Sequence, residues 1–81
     1  MQRLTKEIAE SIRKRHNVSK IFYMGMLENV EYFKGKYLMG GKVGFPCIFG
    51  ISANGQVRMV RDYDMLDNIR KLNIELEEVH V

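Results

Sequence analysis

The chain has a single cysteine, Cys47, which excludes an internal disulfide framework and any zinc site built from several cysteines. No apolar run approaches the roughly 18 residues that a membrane span requires. The opening segment MQRLTKEIAESIRKRH is charged throughout and lacks the apolar stretch of a signal peptide, so a reducing cytoplasm is the expected location. Charge of one sign is scarcely in excess. The net charge is +3 and the pI about 9.2, a mild basic bias that permits nucleic-acid binding without demanding it. There is no low-complexity tract, no linker and no convincing repeat. No GxGxxG or Walker pattern accompanies Gly40-Gly41, which serve as a flexible connector.

What is present describes one small globular domain, residues 1–81. Apolar residues make up 46% of the chain, too many for a disordered segment. A domain of this size buries only about 60% of its unfolded surface, so its stability margin is thin and a homodimer is a plausible way to widen it.

The hydrophobic pattern gives the elements. Leu4, Ile8 and Ile12 recur every four residues among Lys6, Glu7, Glu10, Arg13 and Lys14, which predicts an amphipathic helix over roughly residues 3–16. Asn17 stands where a left-handed residue ends a helix, and the run Arg13 to His16 suits a helix C-terminus. From Ser19 the text becomes aromatic and apolar, a strand to about Leu27. The stretch VEYFKGKYLM, interrupted by Gly35, reads as a hairpin or a bulged strand. After the connector GGKVG, Pro46 opens the next strand. CIFGIS and QVRMVR then form a hairpin around Ala53-Asn54-Gly55. Asp62 or Asp64 caps a second helix that buries Met65, Leu66, Ile69 and Leu72, with Asn73 as its stop. Residues 74–81 fit a last strand, with a longer helix through Leu76 and Val79 as the rival.

Condensed, the order is α-β-β-β-α-β: an α+β fold with a small mixed sheet flanked by two helices. Gly44, Pro46, Ile48, Gly50, Ile51 and Gly55 carry a more specific pattern. The segment YFKGKYLMGGKVGFPCIFGISANGQVRMV resembles the VRR-NUC branch of the PD-(D/E)XK nucleases, small restriction-endonuclease-like domains common in phages and repair proteins. Members show a glycine, a Pro-Asp pair opening a strand, an Ile-x-Gly-Ile-like run, a glycine turn, and a strand ending in Glu-x-Lys. The resemblance implies a metal-dependent nuclease ancestry but places the catalytic positions at Cys47 and at Arg61, Asp62 and Tyr63. Cys47 replaces the aspartate. In the direct register Arg61 replaces the acid and Tyr63 the lysine. Shifted by one, Asp62 supplies the acid while Asp64 takes the lysine position.

The loss has chemical weight. Mg²⁺ demands hard oxygen ligands in near-octahedral geometry, and a soft thiol does not replace them. Without the lysine, a source of charge stabilisation at the scissile phosphate is missing as well. The expected domain is therefore degenerate, with no metal site and no cofactor. Mg²⁺ enters only if Asp62, Asp64, Glu31 or Glu7 rebuild a site with residual cleavage. Cys47 reads as a small core hydrophobe rather than a nucleophile.

Two basic patches are the candidate nucleic-acid contacts. Arg13, Lys14, Arg15, His16 and Lys20 make the denser one; Lys34, Lys36 and Lys42, beside Tyr32, Phe33 and Tyr37, make the second. Cations interleaved with aromatics can follow phosphates while stacking on bases. The plainer reading is a helix end complemented by cations and a hairpin with its aromatics in the core. Two functions follow: a phage-related nuclease-like domain that binds DNA or RNA without efficient cleavage, or a small protein-binding inhibitor or adaptor that blocks a host nuclease or defence complex. The second draws on a high methionine content, six in all.

Overall fold

The computed structural model describes residues 3–38, 46–72 and 75–81. Its elements are α1 (Lys6–His16), β1 (Val18–Leu27), β2 (Val30–Tyr37), β3 (Cys47–Ile51), β4 (Val57–Met59), α2 (Tyr63–Arg70) and β5 (Glu77–Glu78). Among the described residues, no helix is long and apolar enough to cross a membrane.

The strands form one sheet in the order β4-β3-β2-β1-β5, with every neighbouring pair antiparallel. This corrects the expected mixed sheet. It also places four strands before α2, where the condensed order had three. The reason lies in the connections. β1 to β2 and β3 to β4 are tight turns, which force antiparallel pairing, and α2 carries the chain from the β4 edge to an antiparallel slot beside β1. The chain after α2 is a strand, Glu77 and Glu78 pairing with Tyr23 and Phe22, so the helical alternative there is set aside.

Side chains alternate across the sheet and build two cores. Val18, Ile21, Phe33, Cys47, Phe49, Ile51 and Val79 face α1 and meet its Ala9 and Ile12. Met24, Tyr32, Ile48 and Val60 face α2 and meet Leu66 and Ile69. The Phe33 ring stacks on Phe49 at 5.4 Å and takes the edge of Tyr23 at 5.5 Å.

The caps sit where local chemistry puts them. Asn17 is left-handed, with φ 53° and ψ 49°, and its N–H donates to the Arg13 carbonyl. Asp62 caps α2 by accepting the Asp64 N–H at 2.8 Å. Between β3 and β4, Gly55 takes φ 85°, and Ser52 and Gln56 close the loop. Asn73 and the connector over 39–45 lie outside the described residues.

Two expectations shift. α1 begins at Lys6, not residue 3, because Thr5 accepts the Ile8 N–H as cap while Arg3 is occupied elsewhere. Its guanidinium donates to the carbonyls of Asn29 (2.7 Å) and Ile51 (3.0 Å), and its backbone N–H donates to Glu31 Oε1 at 2.6 Å. That clamp holds the β1–β2 turn, where Glu28 and Asn29 both have positive φ, the geometry of a two-residue hairpin. Finally, β2 runs unbroken through Gly35, and the bulges lie on β1 instead. A Cβ at Gly35 would sit 2.8 Å from a Val18 methyl and 3.2 Å from Cys47 Sγ, so glycine lets neighbouring side chains close over the strand.

Candidate nucleic-acid interface

α2 spans only Tyr63–Arg70 and, among the described residues, leaves part of its face of the sheet open. The bulge after Val18 resets the register of β1 so that Lys20 lies directly opposite Lys36, and Phe22 opposite Lys34. The cross-strand pairs put all four side chains on the face α2 occupies, where Phe22 also neighbours Glu78 of β5. Lys20 and Lys36 are exposed; Phe22 and Lys34 are half-buried. Like charges directly opposed across an antiparallel pair destabilise it. A bound anion would remove that penalty.

A cleft of about 370 Å³ opens beside this row, lined by Phe22, Lys34, Lys36, Tyr37, Pro46 and Leu76. Leu76 is 44% exposed, an apolar side chain left at the rim. One carboxylate borders the row: Glu78 Oε2 lies 3.9 Å from His80 Nδ1.

This arrangement redraws the two patches expected from sequence. Lys20 joins Lys34 and Lys36 rather than the α1 cluster. Arg13 is half-buried and Lys14 and Arg15 are exposed on the last turn of α1, over the opposite face, where cations complement the helix C-terminus. Arg15 and His16 line a separate groove of about 340 Å³ against Val57 and Met59. The two groups share one end of the sheet, because α1 ends just before Val18 opens β1. Lys42 lies outside the described residues. Tyr32 and Phe33 are buried, as the plainer reading of the hairpin expects.

Of the positions that would be catalytic, Cys47 and Arg61 lie close enough for the Arg61 charge to act on the thiol, while Asp62 and Tyr63 are turned to other ends. Cys47 is 2% exposed and packs in the core beneath α1. Burial pushes its thiol above the ordinary range, an effect partly offset by the Arg61 charge and a backbone hydrogen bond from Gly35. Asp62 spends its carboxylate on the α2 cap, and Tyr63 is 67% exposed. Glu31 is 1% exposed and serves the Arg3 clamp at the far end of the sheet. Among the described residues, no three His, Cys, Asp or Glu side chains group as a metal site. A buried thiol, a capping aspartate and an arginine do not fit Mg²⁺.

A larger cavity, about 710 Å³, lies between α2 and the two hairpin turns, over Tyr32, Val60 and Met65. Its charges alternate, Glu28 and Asp62 against Arg58 and Arg61, so it selects no sign of ligand. Met24, Met59 and Met65 pack against the cores and Met26 is exposed, while Met39 lies outside the described residues.

Sequence reasoning missed Phe22 and the Arg3–Glu31 clamp. Phe22 had a signal, since it sits two residues from Lys20 on an alternating strand. The clamp spans 28 residues and had none. Comparison of the chain with known protein families, with curated proteins and with solved structures gives no match.

Proposed function

We propose that this chain binds nucleic acid, without efficient cleavage, through the part of the sheet face that α2 leaves open. The observation that carries the proposal is the Lys20–Lys36 pair, two like charges held side by side and joined by Lys34 one row along. Nothing in packing requires that arrangement, and a polyanion neutralises it. Arg13, Lys14 and Arg15 at the same end of the molecule extend the positive field around it. Weak hydrolysis follows from Cys47, whose sulfur is soft and buried where nuclease relatives would carry an aspartate.

Ancestry in the VRR-NUC branch belongs to the same proposal. The spacing of Gly44, Pro46, Ile48, Gly50 and Ile51 supports it; the wholly antiparallel sheet weighs against it. A reducing cytoplasm suits the unpaired Cys47.

The test is fluorescence anisotropy with labelled single-stranded and duplex oligonucleotides at low and moderate salt. Binding should weaken with salt, with a log–log slope of about −2 on single strands and about −2.7 on duplex if three lysines neutralise three phosphates. The double substitution Lys20→Glu with Lys36→Glu should cut affinity at least about tenfold, and supercoiled DNA incubated with Mg²⁺ should remain intact. No detectable binding at low salt, or unaltered binding by the double variant, would end the proposal.

A further inference from the structure

We infer that the cleft beside Phe22 takes one unpaired nucleobase, which makes single-stranded nucleic acid the preferred ligand of the lysine face. This deepens the binding role proposed above and rests on it.

A site made only of lysines would hold any polyanion, duplex or single strand, by its charge. This one has an apolar centre. Phe22 lies within the row that includes Lys34, and Lys20 with Lys36 form the next row on the same face. Alternate residues of a strand stand about 7 Å apart and neighbouring strands about 4.8 Å apart. The ring is thus bordered by ammonium groups on two sides, within reach of phosphates flanking a base laid over it.

The cleft has the size and lining for that base. At about 370 Å³ it is at the small end of ligand sites, room for one aromatic heterocycle and not for a paired stack. Pro46 and Leu76 supply apolar walls. The exposure of Leu76 is otherwise unexplained by the cores, since it belongs to neither. In a duplex the bases are already stacked and paired, so entry would cost unstacking. In a single strand a base is free to stack on an aromatic face, whatever its identity. Glu78 beside Phe22 repels a phosphate placed over that edge, which steers the backbone toward the lysine side.

The experiment compares a labelled oligothymidylate, a duplex of equal length and an abasic phosphodiester of equal length on the unaltered chain, then on Phe22→Leu and Phe22→Tyr. The unaltered chain should prefer the thymidylate over the other two by about tenfold. Phe22→Leu keeps an apolar side chain but removes the ring; it should erase that preference. Phe22→Tyr should restore it. Equal binding of thymidylate and abasic strands by the unaltered chain would overturn the inference, as would a Phe22→Leu protein that retains the preference. In either case, binding that still depends on Lys20 and Lys36 would leave the broader proposal standing. Loss of all binding would remove both.

Discussion

Beneath α1 the sheet is sealed. Ala9 and Ile12 close over Phe33, Phe49 and Ile51, each of these three with no exposed surface, and Arg3 ties the end of the sheet shut through Glu31. Beneath α2 the sheet is only half covered: Leu66 and Ile69 shield Met24, Tyr32 and Ile48, while Lys20, Phe22, Lys34 and Lys36 are left beyond the helix. The difference assigns work to each face. A domain this small has one surface rich enough in apolar contacts to hold it together, which frees the other to carry charges that weaken packing. Binding and stability are therefore separable here by face.

The largest blow to that division comes from Phe33→Ala. Removing a fully buried ring that contacts both Tyr23 and Phe49 should cost about 3–5 kcal/mol, a large part of the stability of a small domain. Leu66→Ala on the other face should cost less, about 2–3 kcal/mol, because it removes a smaller side chain from the smaller of the two clusters. Urea denaturation of both variants checks the order. A greater loss for Leu66→Ala would invert the roles of the faces.

A finer comparison uses one substitution on both. Gly35→Ala aims its methyl at the α1 face, 2.8 and 2.9 Å from the two methyls of buried Val18. Gly50→Ala aims at the α2 face, 2.7 Å from a Val30 methyl and 2.8 Å from the Tyr32 ring. The distances match; the neighbours do not. Val18 is locked in the core, whereas the Tyr32 ring borders the large cavity and can move toward it. Overpacking should cost about 2–3 kcal/mol at Gly35 and about 1 kcal/mol at Gly50, read as the difference in urea midpoints.

These neighbours also show what the sequence could disclose. Asn17, Asp62 and the Asn54-Gly55 turn act through atoms a few residues away, so their roles were legible in the local run of residues. The Cys47 core position was legible from its apolar flanks. Register was not. Whether Lys20 meets Lys36 or points to the opposite face depends on a one-residue bulge near Ser19, and no local preference announces it. The final strand was expected over residues 74–81, but its short extent was not legible, because two glutamates have poor strand propensity and pair with Phe22 and Tyr23 only through the fold.

Alkaline pH should strain the sealed face first. Burial raises the Cys47 thiol from its ordinary 9.0, and burial likewise raises the Tyr23 and Tyr37 phenols from 10.0; on the other face only Tyr32 is affected. Each group ionises more readily in the unfolded chain, so its contribution to stability is complete below the ordinary value and is lost as pH rises through the raised one. Melting temperature should hold steady to about pH 9 and then fall. Cys47→Ala should delay the start of that fall, and a melting curve unaffected by this change would show that the thiol does not carry the early loss.

The smallest effect concerns Asp62, whose meaning differs most between the two accounts of this chain. As the cap of α2 it accepts the Asp64 N–H, so Asp62→Ala should cost about 1 kcal/mol and Asp62→Asn almost nothing, because asparagine caps equally well. Thr5→Ala at the start of α1 should cost a similar amount, about 1 kcal/mol, which makes it a matched control from the sealed face. As a remnant metal ligand Asp62 would behave otherwise: asparagine lacks the charge that Mg²⁺ requires, and Asp62→Asn would then abolish any EDTA-sensitive nicking while leaving stability intact. Equal oligonucleotide affinity in Asp62→Asn and the parent chain, with supercoiled DNA intact in both, is the outcome expected of a residue whose work is to start a helix.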